Sequence, residues 1–344
     1  MIRSTCLAAL FVSLYAVSPA RADDDAVTEF YKKNGTIRLI VGSEPGGGYD
    51  GYARLTARHL GRFIPGNPNV VVQNMPGAAG IVAANYLYNA APKDGTAMAQ
   101  VQRLVPFVQI MGEPGPQFET AKFNWLVSLA SEVTVCVAWK ASTDIKTFED
   151  VQKRELIIGG SGPNDTEAFP TVMNNVIGSK FKIVSGYPSS TAVTLAVERG
   201  EVQGICASLL SLTTRNGRWF TDNKVSVLLQ ASTQRHPDLP DVPLALELAK
   251  NPEDRALLEL NDARLAIGRP FMFPPGVPPE RVKALRSAFA QMVKDKDFIS
   301  DAQKEKRDLD VVLGDDLQLL LQRLSKTPKT LIERLTQSLK YKSP

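Results

Sequence analysis

The sequence predicts an α/β fold, on three observations. Strand-like apolar runs alternate with helix-like runs from end to end. Two glycine-rich stretches, residues 45–50 (Pro-Gly-Gly-Gly-Tyr-Asp) and 74–80 (Asn-Met-Pro-Gly-Ala-Ala-Gly), each carry the chain from a strand-like run into a helix-like one. Proline-rich stretches at 112–116, 236–243 and 273–279 punctuate the remainder, with no internal repeat and no low-complexity tract. Repeated strand–helix units of this kind predict mostly parallel sheets with helices on both faces, and ligands in such sheets bind at the carboxyl ends of strands.

The elements follow in order. Residues 37–41 (Ile-Arg-Leu-Ile-Val) and 70–72 read as buried strands, and 49–62 and 77–90 as the helices that follow them. Further strands are expected at 97–101, 134–138, 156–158, 182–184, 202–206, 225–230 and 309–313. Helices are expected at 147–153, at 166–177 with Asp165 as its cap, and at 189–199. Two more are expected at 279–293 and at 317–324, the latter preceded by Asp315 and Asp316.

Residues 1–22 read as an export leader. Arg3 supplies a positive start, residues 6–17 an apolar run too short to span a bilayer, and Ala20-Arg21-Ala22 a small-x-small cleavage site. Cleavage leaves residues 23–344, a length that suits two domains of about 150 residues each. The mature protein is expected to be soluble and periplasmic. The formal charge of +4 includes Arg3 and Arg21, so the remainder is near neutral. Its Lys and Arg are scattered, and nucleic-acid binding is not expected. Cys136 and Cys206 remain after cleavage, both in apolar strand-like runs. Export permits a disulfide between them, and two buried thiols fit the same runs. With His59 and His236 distant in sequence, the cysteines make a poor metal set.

A glycine-rich turn from strand end to helix start aims backbone N–H groups and the positive end of a helix dipole at one spot, a geometry that suits an anion. Gly47, Gly48 and the backbone of Tyr49 form the first such turn, and Pro76, Gly77, Ala78 and Gly80 the second. Asp50 is too acidic to receive a carboxylate directly, and is expected to accept backbone N–H groups or hold a water. Residues 160–162 (Gly-Ser-Gly) repeat the geometry, placing Ser161 and Gly162 in a third turn with the Thr166 hydroxyl nearby. Tyr187, Ser189 and Ser190 precede another helix, and Ser208 follows the 202–206 strand. Arg103 follows the 97–101 strand, where it would either pair a ligand carboxylate bidentately or stand as a solvated surface arginine.

These motifs, taken together in their order and spacing, resemble the substrate-binding receptors of tripartite tricarboxylate transporters, also called Bug receptors. The resemblance rests on 37–41, on 45–50 with Ala53 and Arg54, and on 71–80. It continues through 91–96 (Ala-Pro-Lys-Asp-Gly-Thr), 160–162, 200–204 (Gly-Glu-Val-Gln-Gly), 239–243 (Leu-Pro-Asp-Val-Pro) and 275–278 (Pro-Gly-Val-Pro). The chain departs from the family pattern at Thr96, at Gln203 and over 163–167 (Pro-Asn-Asp-Thr-Glu), where the family often has threonine and then histidine. The resemblance implies a type II periplasmic binding-protein fold: two α/β domains with a ligand cleft between them. Domain 1 would comprise residues 23–128 and 231–344, and domain 2 residues 129–230. It further implies a monomeric receptor that closes on a small organic acid, a mono- or dicarboxylate. That receptor would hand its ligand to membrane transporter subunits, or present it to a sensor domain, with no cofactor and no catalysis.

Two enzyme classes fit less well. The pattern Gly46-x-Gly48-x-x-Gly51 matches the dinucleotide fingerprint, but the second strand ends at Gln73-Asn74 without the acid that holds the ribose. Residues 159–163 approach a hydrolase elbow, but Pro163 replaces the second glycine, and neither His59 nor His236 is placed as a base.

Overall fold

Strand β1 (Thr36–Val41) is apolar on both faces, with Ile37, Leu39, Ile40 and Val41 fully buried. That pattern belongs to a central parallel strand covered by helices on both sides. The computed structural model describes residues 19–112, 114–162, 165–232 and 234–340 of the chain. Most of the expected leader, residues 1–18, lies outside the described residues, as do Pro163 and Asn164. Helix α1 (Pro19–Asn34) runs through the expected cleavage point at Ala22.

The chain then follows β1, α2 (Gly48–Leu60), β2 (Asn69–Asn74), α3 (Ile81–Asn89), β3 (Ala97–Gln100), α4 (Val105–Ile110) and β4 (Asn124–Ser128). Next come β5 (Thr134–Trp139), α5 (Phe148–Lys153), β6 (Leu156–Gly159), α6 (Ala168–Ile177) and β7 (Phe181–Val184). They lead into α7 (Ser190–Glu198), β8 (Gly204–Ser208), α8 (Leu209–Asn216), α9 (Arg218–Thr221) and β9 (Val225–Ala231). The chain ends with α10 (Pro252–Ala263), β10 (Pro270–Phe273), α11 (Pro279–Met292), α12 (Lys296–Lys304), β11 (Val312–Leu313), α13 (Gly314–Leu324) and α14 (Lys329–Ser338).

Two sheets result. The first has six strands in the order β11-β4-β10-β3-β1-β2, the second five in the order β7-β6-β8-β5-β9. The expectation of mostly parallel sheets needs correction. β1 is parallel to β2 and β3, and β6 to β7 and β8, but β10 runs antiparallel to β3 and β4, and β5 antiparallel to β8 and β9. The physical reason is topological. β5 and β10 are the strands by which the chain enters each sheet from the other, so they run against the local βα units. Cys136 and Cys206 face each other across the β5–β8 pairing and are joined as a disulfide.

The core is shared. One apolar cluster takes Ile40 and Trp125 from the first sheet, Cys136 and Leu228 from the second, and Phe169, Leu257 and Leu317 from helices around them. A second lies under α2, α11 and α12 (Tyr52, Phe271, Phe289, Phe298), and a third under α7 and α8 (Val135, Val197, Trp219). α13 packs on β4, whereas α14 packs on α6 and α10. No helix among the described residues is long and apolar enough to cross a membrane.

Candidate ligand-binding cleft

The carboxyl ends of β1 and β2 open into the two glycine turns. In the first, Gly46 takes a positive φ of 83°, and Gly46 to Gly48 are exposed at the start of α2. The first N–H groups of a helix have no intrahelical acceptor, so this end of α2 presents donors. Asp50 faces inward and fixes the turn. Its carboxylate accepts from Gly46 N–H at 2.8 Å, from Arg54 Nε at 2.8 Å and from Asn74 Nδ2 at 2.9 Å. Burial alone would raise its pKa, but the bonds from Arg54, Gly46 and Asn74 win and hold it down at about 2. Asp50 therefore accepts a backbone N–H just ahead of its helix and ties that turn to the end of β2.

The second turn is strained. Gly77, Ala78, Ala79 and Gly80 all have positive φ (139°, 44°, 51° and 93°), a region that costs a residue with a Cβ about 1 kcal/mol. Pro76 to Ala79 are exposed, and Gly80 is buried against the Gln102 side chain, which would collide with any Cβ there. Below the turns lie polar atoms that are buried without a hydrogen-bond partner among the described residues: Ser43 Oγ, both side-chain atoms of Gln100, and Gln102 Oε1. Buried polar groups are ordinarily satisfied, so Ser43, Gln100 and Gln102 bring unspent hydrogen-bonding capacity to the ends of β1 and β3.

Arg103 is not a solvated surface arginine. It is only partly exposed, and it spans the two sheets. Its backbone N–H donates to the Tyr49 hydroxyl at 3.0 Å, placing it against the first turn. Its guanidinium reaches across to the loop before α6, where Nη2 lies 2.6 Å from Asp165, and Nη1 lies 3.6 Å from Glu132. Arg264 holds the other Asp165 oxygen at 2.8 Å. Asp165 is thus not the cap of α6 but a bridge between two arginines. Burial opposes its charge, but Arg264 and Arg103 keep its carboxyl well below the usual range. Glu132 also binds Arg269 Nη1 at 2.8 Å and accepts from Ser208 Oγ at 2.9 Å. The Arg269 guanidinium lies over the Tyr49 ring, 4.6 Å from its centroid, and over Tyr52 at 5.0 Å. Three guanidiniums and two carboxylates therefore meet between the sheets.

The remaining expected residues have other duties. Ser161 N–H donates to Thr166 Oγ1 at 2.8 Å, and Gly162 N–H donates to Glu167 Oε1 at 2.8 Å, so the third turn turns its donors onto its own loop. Tyr187 packs on Gly159, Ser189 caps α7 by accepting from Ala192 N–H, Ser190 opens that helix, and Ser208 caps α8. No contact joins Tyr187, Ser189 or Ser190 to the arginine cluster among the described residues. Glu132, Arg264 and Arg269 are absent from the sequence reading. Glu132 and Arg269 are single charges in apolar stretches, and that contrast was the one available signal; Arg264 follows Asn261 and Asp262 and gave none. A cavity of about 540 Å³ adjoins the cluster, lined by Glu132 and Arg269 together with Ser131, His236, Asp308 and Asp310. None of the expected site residues lines it. It lies along the crossing segments and just beyond β4, β8 and β9, away from the ends of β1 and β2 where the glycine turns stand.

This architecture is found in solved structures. A TctC solute-binding protein from Polaromonas superposes with a TM-score of 0.68 at 19% identity, covering 87% of this chain and 98% of that one. The chain has the fold of a TctC-type solute-binding protein. A Rhodopseudomonas palustris protein solved with adipate gives a TM-score of 0.60 at 18% identity, over 88% of this chain and 97% of that one. MatC from the same species, solved with malate, gives 0.55 at 19% identity, over 89% and 99%. The chain is also 31% identical over 136 residues to the "UPF0065 protein in gbd 5'region" of Cupriavidus necator. That match takes in 39% of this chain and spans only 38% of the relative's length. No protein-family model matches the chain. The resemblance to Bug receptors read from the sequence holds at the level of fold.

Proposed function

We propose that the protein is an exported solute receptor of the tripartite tricarboxylate transporter kind. It captures a small organic acid between two lobes, one built on the first sheet and the other on the second sheet with α14 packed on its α6, and delivers it to a membrane transporter. It performs no catalysis. The observation that carries this reading is the pair of donor-rich glycine turns at the carboxyl ends of parallel strands, above orphaned polar groups and facing the other sheet's loops. The ligand carboxylate meets the backbone N–H groups at Gly47, Gly48 and Tyr49, with Pro76, Gly77, Ala78 and Gly80 as the second wall. Adipate and malate in structures of the same fold support an organic acid as the ligand class. Closure follows as ligand contacts to both lobes shift the population toward the closed form.

The test is a thermal-shift and calorimetry screen of the protein recovered from the periplasm of an expressing bacterium, against mono-, di- and tricarboxylates, amino acids, sugars and nicotinamide nucleotides. Ligand binding to the native state raises the melting temperature by mass action. A rise with an organic acid is expected, and it should disappear in Gly48→Val. A Cβ at Gly48 would meet only the tip of Arg269, at 3.7 Å, so the variant folds while its branched side chain covers the turn. Unchanged affinity in Gly48→Val, or a rise with a nucleotide alone, refutes the site.

A further inference from the structure

The two walls of the cleft are chemically unequal. On the first sheet's side stand exposed glycine turns and the guanidinium of Arg103. On the second sheet's side the third turn has used its own donors, with Ser161 N–H on Thr166 and Gly162 N–H on Glu167. The space beside Gly160 is filled by the Glu167 side chain. What that wall offers is acid. Asp165 projects from the same loop, is buried, and already occupies Arg103 at 2.6 Å and Arg264 at 2.8 Å. Arg269 is likewise taken, by Glu132 and by the faces of Tyr49 and Tyr52.

Resting on the receptor reading above, we infer that Asp165 sets the ligand class: the protein takes acids with a single carboxylate and a hydrogen-bond donor (amide, hydroxyl or ammonium) at the far end, and excludes dicarboxylates. A ligand carboxylate seated on the first turn spends the donors of that wall. Its distal group then faces Asp165 and Glu167, so a second carboxylate would meet two acids, the first of them buried. Like charges there repel strongly because little water intervenes. The second carboxylate would also have to displace Asp165 from its two arginines, leaving a buried acid unpaired. A distal N–H or O–H meets the same two acids as acceptors. The asymmetry lies in the loop and not in the turns, so it leaves the first carboxylate's site intact.

Matched pairs of probes that differ only at the far end test this on the unmodified full-length protein: succinate with succinamate, glutarate with glutaramate, adipate with adipamate, and malate with its monoamide. Calorimetry should show at least one monoamide binding tenfold or more tighter than its diacid. Asp165→Asn should bring that ratio to within about threefold by strengthening diacid binding, an effect that general loosening of the loop would not produce. Glu167→Gln, which keeps the Asp165 bridge, should narrow the ratio less. A diacid that binds the unmodified protein as tightly as its monoamide overturns the inference while leaving the receptor reading in place. Binding by no organic acid of the screen overturns the receptor reading and this inference with it.

Discussion

Acid should loosen the first glycine turn through one residue. Asp50 is buried and holds Gly46, Arg54 and Asn74 only as a carboxylate. Its pKa falls from an ordinary 3.8 to about 2 in the folded chain. A drop of roughly two units, each about 1.4 kcal/mol, amounts to about 2.5 kcal/mol of stability. Because the folded value is the lower one, that stability is fully present above about pH 4 and is lost as the pH falls through about 2. The linkage relation puts the loss at about 1 kcal/mol by pH 3. Other carboxylates titrate over the same range, so the comparison is with Asp50→Asn, whose stability lacks this one contribution. Urea denaturation followed by tryptophan fluorescence should show the gap between the two proteins narrowing by about 1 kcal/mol between pH 7 and pH 3. A gap that stays constant over that range would mean the three bonds do not depend on the charge.

Three further outcomes follow from other parts of the molecule. Replacing Cys136 and Cys206 together by alanine should cost about 4 kcal/mol, the loop-closure value for a bridge between residues 70 apart, and a cost below 1 kcal/mol would remove the disulfide from the stability account. Asp262 is buried, its Oδ2 has no hydrogen-bond partner among the described residues, and burial pushes its carboxyl up to about 7, so stability is lost as the pH rises from about 4 to 7. Asp262→Asn should therefore melt higher than wild type at pH 8 and level with it near pH 4, and a lower melting temperature at pH 8 would refute the assignment. Gly80→Ala should destabilise by about 2 kcal/mol, because a Cβ there meets Gln102 at a φ of 93°, and urea midpoints unchanged from wild type would show that the turn yields freely.

Much of the architecture was legible because the βα units repeat a strong local signal. β1, β3, β5, β6 and β7 lie within a residue or so of their expected positions, and Thr147 and Ser189 cap helices where the pattern starts them. β10 was missed because four residues that begin at Pro270 and run into Pro274 and Pro275 are too short to show a period. Its place at the centre of a sheet is set by β3 and β4 on either side. β4 was missed as a short apolar run between charged loops. α12 and α14 are short helices whose apolar faces gain meaning only from α2 and α6 beneath them. The glycine turns announced themselves through residues that tolerate positive φ. The ion cluster did not, because Arg103 finds Asp165 across the two sheets, and pairing at that sequence distance leaves no local trace.

The C-terminal helix has a mechanical meaning. The chain passes from the first sheet to the second between β4 and β5 and returns between β9 and β10. It passes a third time through 325–328, since α13 lies on β4 while α14 lies on α6. Two bodies joined by two cords can bend and can also swivel; a third short tie takes the swivel away. It also sets a travel stop. If the receptor proposed above opens by parting the sheets, residues 325–328 bound how far they part before α14 peels from α6, beginning with the bond from Asn175 Nδ2 to the Ser338 carbonyl at 2.9 Å. On that proposal α14 is the part that limits how wide the cleft opens.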